Sequence, residues 1–545
     1  MKEVKQIGDS SKTKKKAAAT PKPSSAARSI EIPYPWLFTS IVLFLTVPLF
    51  MFFLGYLRLV VAIPLALIFA GMVFFSVSDC LNNPDGRKIS VSENNLKIPL
   101  KYLIGFAVVA LLVSFVSGAG EYIYTLQDHA YRRAILRDLI NYDWPVIYDY
   151  KTQTNPEVIE VFGIASGTRA FSYYFIYWMP AALVGKVFGF EAGNFALLLW
   201  NALGIFLCFL ATSAVIKKAT AAVPFMFVFF SGLDVLPNLV YLFTGYNGWR
   251  WFEGWVPAMS YISNFRELAS VFNQMIPCFL IVALMLMAHN TRSTGLTAGV
   301  LFAYSPWAVF GIIPMVIAFL FGKKQRADKF SKTLLNTFSP VNIASAVLLL
   351  VVFGSYYMSN SGAVSVRNFA WECFQNPALF VPALIIFLAI EVLPFVLMLY
   401  KQEKGNAIFW AAIGTLALIP FYQITDMNDF NMRGSMPALF YFCILMSGFV
   451  AEVMDKKNTP VTKKGWLKSA AIMLTVILMT LTTLMNFFVI FGSMINGDKS
   501  DKEDIGSFGN INQSKHAAEY AVTIDEQFFA EGYEDSFFFR YFAKN

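Results

Sequence analysis

The stretch GAGEYIYTLQDHAYRRAILRDLINYDWPVIYD, Gly118 to Asp149, packs Glu121, Asp128, His129, Arg132, Arg133, Arg137, Asp138, Asp143 and Asp149 into one short segment. It follows directly on an apolar run, Tyr102 to Ser117. Charges at the mouth of a membrane bundle cost desolvation energy, so such a cluster marks a functional site by default. The spacing predicts an amphipathic interfacial helix. Glu121 and Asp128, seven residues apart, then share one face with Tyr124 between them. Asp128 and Arg132 stand at i, i+4, as do Arg133 and Arg137. Ile135, Leu136, Leu139 and Ile140 form a second, apolar face expected to lie along the membrane. The plainer alternative is a solvated loop with local ion pairs.

Around this segment the composition is that of a membrane protein. Of 545 residues, 57% are hydrophobic and 14% charged, with mean hydropathy +0.55. Soluble domains carry about 25% charged residues. The 55 phenylalanines suit lipid-facing helices better than a compact soluble core. The net charge of +8 is mostly topological. Residues 1–35 form a basic tail containing Lys2, Lys5, Lys12, Lys14, Lys15, Lys16, Lys22 and Arg28, too polar to offset its ordering entropy and expected to be disordered. It reads as a positive-inside anchor near membrane lipids rather than a nucleic-acid binder. The first apolar run, from about Trp36, is too long for a signal-peptide core and lacks a cleavage site after it. The five cysteines show no paired spacing: Cys208, Cys278 and Cys443 lie in apolar runs, Cys80 in a basic loop and Cys373 outside. Neither a disulfide framework nor a zinc site is implied.

A helical crossing needs roughly twenty apolar residues. The runs 36–57, 58–78, 102–119, 192–215, 220–243, 269–288, 339–358, 379–400, 406–423, 435–453 and 466–494 qualify, so the fold class is an all-α polytopic membrane protein of about eleven full transmembrane helices with no large soluble domain. With the N-terminus cytoplasmic, the basic clusters Arg87/Lys88/Lys97/Lys101, Lys217/Lys218, Arg292, Lys323/Lys324/Arg326/Lys329, Lys401/Lys404 and Lys456/Lys457/Lys463/Lys464 all fall inside. Two segments must then not cross. Phe171 to Phe188 is read as a juxtamembrane or re-entrant helix with Tyr173, Tyr174, Tyr177 and Trp178 at the interface. Thr294 to Phe321, broken at Ser305-Pro306, is read as two half-length helices returning to the cytoplasmic side, a path tolerated only inside protein or along a cavity. The organisation is a tail (1–35), two additional N-terminal helices with a cytoplasmic loop (36–101), a helical catalytic module (102–494, with 120–168 as the first outer loop), and an extracytoplasmic tail (495–545) whose aromatic end DSFFFRYF packs back.

Acidic residues just after a span in the first outer loop resemble the GT-C superfamily of polyprenyl-phosphate-sugar-dependent glycosyltransferases. So do a juxtamembrane aromatic helix followed by a G-x-x-A element (Gly189 to Ala192), a span ending in basic residues (Phe188 to Lys218), and the broken pair around Ser305-Pro306. The resemblance covers roughly residues 102 to 455. The superfamily's usual paired acids (Asp-Asp, Asp-Glu or Glu-x-Asp) are absent; Gln127-Asp128-His129 stands in their place, with Glu121 seven residues upstream of Asp128. The resemblance implies transfer of a sugar from a polyprenyl-phosphate donor to a glycan or lipid acceptor outside the cell membrane, with inversion expected. Such transfer needs a base for the acceptor hydroxyl and cations for the departing phosphate. Asp128 is the candidate base and Glu121 the second, with His129 assisting or an ordinary interface residue. Arg433 and Arg132 are the phosphate candidates. Arg433 lies beside Asp426, Asn428, Asp429 and Asn431 and could equally be paired with the aspartates.

Trp249, Arg250, Trp251, Glu253, Trp255, Asn273 and Asp429 are sugar or acceptor candidates, although an interfacial belt has the same composition. Asp234, in Ser231-Gly232-Leu233-Asp234, must face the bundle or a wet cavity, either lining the site or acting structurally; Glu391 reads as structural. No cofactor is implied, and a divalent cation on the outer carboxylates stays open. The chain has no Walker loop, His/Cys metal set or dinucleotide signature. The rival readings are a transporter or flippase of lipid-linked saccharides, a glycan polymerase or ligase, and a non-catalytic scaffold. A transporter calls for broken helices in two halves, and the sequence displays one broken pair. A polymerase calls for a long outer loop late in the chain, and here the longest internal one comes early.

Overall fold

The computed structural model describes residues 28–81, 95–123, 128–149, 168–244, 252–288, 290–322, 330–360, 367–425, 428–455, 463–495, 506–509 and 528–544. The chain begins with β1 (Ser29–Ile32), α1 (Tyr34–Tyr56), α2 (Leu59–Leu81), β2 (Leu96–Pro99) and α3 (Leu100–Val116). β1 and β2 pair antiparallel, Ser29 opposite Pro99, and each strand runs through a proline into its helix. That pairing orders residues 29–32, which the tail reading had left disordered; residues 1–27 lie outside the described residues.

Next come α4 (Asp128–Asn141), β3 (Ile147–Asp149), β4 (Thr168–Phe171), α5 (Met179–Phe188), α6 (Phe190–Val215), α7 (Ala222–Phe229), α8 (Val235–Thr244), α9 (Asn264–Met287), α10 (Thr294–Tyr304), α11 (Pro306–Phe321), α12 (Phe330–Thr337) and α13 (Pro340–Met358). The chain closes with β5 (Arg367–Phe369), α14 (Phe380–Glu391), α15 (Leu393–Glu403), α16 (Ala407–Leu418), β6 (Tyr422–Ile424), α17 (Asp429–Asp455), α18 (Lys463–Ile495), β7 (Phe529–Glu531) and α19 (Phe537–Tyr541).

Among the described residues, seven helical stretches are long and apolar enough to cross a membrane: Tyr34–Tyr56, Leu59–Ser78, Phe190–Val215, Asn264–Met287, Ser331–Met358, Asp429–Asp455 and Ser469–Val489. An eighth arises if the bent pair α14/α15 counts as one span. The chain is therefore a mostly helical, multi-pass membrane protein. The expected runs at 102–119, 220–243 and 406–423 fall short of this length because α3 and α16 are short and the run 220–243 divides into α7 and α8. The run 379–400 is also divided, with α14 and α15 meeting at 61°. Large exposed side chains such as Val60, Leu67, Phe74, Ile104, Val347 and Phe488 clothe the outside of the bundle, as lipid-facing positions require.

Contacts between helix termini define two ends. At one, Tyr34 donates to the carbonyl of Met287, and Lys218 pairs with Asp455 at the close of α6 and α17. At the other, Trp144 packs against Gly55, Glu121 lies beside Asn194, and Arg433 meets Glu267 at the starts of α17 and α9. The pair α10/α11 turns back on itself. Its far ends, Ser293–Ala298 and Ile312–Phe319, line one small cavity with Ile281 and Met285 of α9. Its tip is held by Tyr304 donating to the Leu45 carbonyl at 2.9 Å and Ser305 to Gln274 Oε1 at 2.7 Å.

Two expectations about amphipathic segments are corrected. Ile135, Leu136, Leu139 and Ile140 do not lie along the membrane; they are buried in protein, and Ile140 fills space over Gly185 and Gly193. Tyr177 and Trp178 are 1% and 0% exposed, so this aromatic segment is core rather than an interfacial belt. The carboxy-terminal residues do pack back. β7 extends the β3–β4 sheet, Phe538 packs against Phe52 and edge-on to Tyr356, and Arg58 Nε donates to the Ala543 carbonyl at 2.6 Å.

Candidate functional site

The turn after α3 positions the first acid. Gly118 and Gly120 have φ of 85° and 83°, which glycine adopts without a Cβ penalty. A Cβ at 120 would meet the Asn194 carbonyl at 2.8 Å, so the turn sits tight on the start of α6. Glu121 follows with φ 66°, an uncommon conformation for a residue with a side chain and one that concentrates at functional sites. Its carboxylate accepts from Arg133 Nε at 2.8 Å and lies 3.5 Å from Asn194 Nδ2. The expected helix through Glu121 is therefore corrected. α4 begins at Asp128, and the two acids share no helical face; the Asp128 side chain lies outside the described residues.

α4 docks its polar face on a break in α9. Val271, at φ −147° and ψ 50°, interrupts the helical ladder. The Ala269 carbonyl just before it accepts from Arg132 Nη1 at 2.8 Å and His129 Nε2 at 2.9 Å. Burial, with Arg132 alongside, pushes His129 down to about 3. The ring is thus neutral, with its proton on Nε2 toward that carbonyl. Arg132 also lies 5.6 Å over the Phe272 ring. Asn273 donates to the Tyr174 carbonyl at 3.2 Å.

At the start of α17, Asn428 Oδ1 accepts from the backbone of Asn431 at 3.1 Å while its amide donates to Ala258 at 2.6 Å. Asn431 Oδ1 accepts from the Ser260 backbone at 2.9 Å, so this helix start and the segment before α9 are tied together. Arg433 Nη1 donates to Glu267 Oε2 at 2.9 Å, and Nη2 reaches Asp429 Oδ1 at 3.5 Å. The Asp429 side chain is 31% exposed against 3% for Glu267. Asp429 is therefore the accessible acid of this group. Arg433 is thus paired, as expected with Asp429, but its nearer partner is Glu267.

Glu253 is fully buried; its Oε1 accepts from the Ser263 backbone at 3.0 Å and Asn486 Nδ2 at 2.9 Å. Asp234 is brought next to Glu391 rather than to the α4 group, with Glu253 bearing on both. Trp249, Arg250, Trp251 and Asp426 lie outside the described residues. Among the described residues, no three His, Cys, Asp or Glu side chains are arranged to hold a metal ion. Glu267 carries no motif that marks it in the sequence, although it opens α9 in a polar segment; Glu391, expected to be structural, is buried beside Asp234. Comparison with protein-family models, with curated proteins and with solved structures finds no match for this chain.

Proposed function

We propose that this is a membrane glycosyltransferase of GT-C type, moving a sugar from a polyprenyl-phosphate donor to an extracytoplasmic glycan or lipid acceptor. The observation that supports it is the gathering, at one end of the bundle, of His129 and Arg132 with Glu267, Asp429 and Arg433 around the broken start of α9, with Glu121 tied to the same helix α4 through Arg133. With α3, α7/α8, α14/α15 and α16 taken as crossings too, the passages number eleven and the positive-inside rule favours this end as the outer one. Asp128, one residue before His129 on α4, takes the acceptor proton; Glu121, in the turn before α4, is held by Arg133 of that helix. An incoming phosphate oxygen competes with Asp429 for Arg433, because that contact is the longer of the two.

The test uses the purified full chain in lipid nanodiscs with radiolabelled polyprenyl-phosphate sugars and extracted envelope acceptors. Wild-type protein should consume a donor, and Asp128→Asn should lower the rate by on the order of 10²–10⁴-fold with unchanged thermal stability. Consumption of no donor by the wild type, or full activity in the variant, overturns the assignment.

A second reading has an observation of its own. Two further interrupted helices, α7/α8 and α14/α15, meet through Asp234 and Glu391, the arrangement expected of a transporter of lipid-linked saccharides. Movement of an unaltered lipid-linked sugar across proteoliposomes separates the two.

A further inference from the structure

The chain breaks twice at one place inside the bundle. Between α7 and α8, Ser231 Oγ donates to the Met479 carbonyl at 2.9 Å and the Val235 backbone to Thr482 Oγ1 at 3.2 Å, which pins the break to α18. Between α14 and α15, Glu391 is the last residue before the bend. Its side chain enters the room left by Gly232: a Cβ there would lie 1.3 Å from Glu391 Oε2. Asp234 is 0% exposed and Glu391 1%.

The two carboxyl groups face each other within hydrogen-bonding reach. Glu391 Oε1 accepts from Trp255 Nε1 at 3.1 Å. Glu391 Oε2 and both Asp234 oxygens have no donor among the described residues. The other ionisable groups bearing on the pair are Glu253, itself an acid, and the Tyr261 hydroxyl, which donates to the Leu416 carbonyl. No cationic side chain among the described residues pairs with either acid. Ionised carboxylates only accept hydrogen bonds, so two of them cannot satisfy one another, and like charges in a low-dielectric interior repel strongly. One proton turns the pair into donor and acceptor and removes one of the two charges.

We propose that Asp234 and Glu391 form a proton-binding site at the junction of the two broken helices, holding one exchangeable proton taken up from water. The site is separate from the α4 group and does not depend on the glycosyl-transfer reading.

Infrared spectroscopy of the full chain in nanodiscs tests it. At neutral pH the wild type should show a protonated-carboxyl band that shifts in D₂O, is indifferent to exchange of sodium for choline, and is missing from Asp234→Asn/Glu391→Gln. Absence of a wild-type band, its persistence in the double variant, or its displacement by sodium overturns the proposal, the last in favour of a cation site. If the double variant does not fold, Glu391→Gln alone decides: a band shifted or lost supports the site, and an unchanged band overturns it.

Discussion

Arg433 clamps Glu267 across the starts of two helices, Nη1 to Oε2 at 2.9 Å, with the side chains 11% and 3% exposed. Removing one member of so enclosed a pair strands a charge. Arg433→Ala should therefore cost about 3–5 kcal/mol in detergent-solubilised stability. Arg433→Ala/Glu267→Gln should recover much of that loss, because the stranded charge is gone. A double-mutant cycle of thermal or chaotrope unfolding checks it. Additive losses would mean that the two side chains do not interact.

Asp138 predicts a pH dependence. Burial pushes its carboxyl up to about 6, against hydrogen bonds from Ser507, the Tyr148 hydroxyl and the Phe508 backbone that favour the ionised form. A raised acid binds more protons folded than unfolded. Its contribution is therefore full below about pH 4 and lost as the pH rises through about 6, on the order of 2–3 kcal/mol. The wild-type-minus-Asp138→Asn stability difference should therefore fall as the pH rises over that window, read by melting at a series of pH values. A wild-type curve that rises relative to the variant between those limits would contradict the sign.

A close backbone crossing makes Gly311 intolerant. A Cβ there would stand 1.7 Å from the Gly434 carbonyl oxygen, and a backbone atom cannot swing aside. Gly311→Ala should push α11 off α17 and destabilise by at least about 1–3 kcal/mol. Gly354→Ala is the control, with its nearest neighbour at 3.9 Å, and should be neutral or stabilising by about 0.5–1 kcal/mol. Equal folded yields for both variants would rule out the crossing.

Cys373 reports sidedness. Its thiol donates to Gln423 Oε1 at 2.5 Å and is partly covered, near β5 and β6. A membrane-impermeant maleimide on intact cells should label Cys373 slowly, and faster in Gln423→Ala, while leaving Cys80 unlabelled. Labelling of Cys80 with protection of Cys373 would invert the topology.

Helices were legible wherever apolar length and basic flanks agree, and the Ser305-Pro306 turn was legible because proline sets a helix start. Pro394 carried the same signal for α15, yet the surrounding run is apolar enough to read as one continuous span. The partner of Glu391, Asp234, lies 157 residues earlier, a pairing no single sequence displays. Tyr177 and Trp178 misled for a related reason: interfacial belts and buried cores draw on the same aromatic residues. The Glu121 turn was hidden differently. Helical spacing reaches back from α4 to Glu121, whose own positive φ, set by the glycine turn before it, forbids a helix there.

Gly232 and Glu391 cannot drift independently through evolution. A carboxylate oxygen occupies the volume that any Cβ at 232 would claim. A divergent descendant that acquires alanine or serine there must shorten or redirect the residue at 391, and one that loses the acid frees 232 to vary. The two positions form a correlated pair whose joint history would show whether selection guards the carboxyl group or only the space it fills.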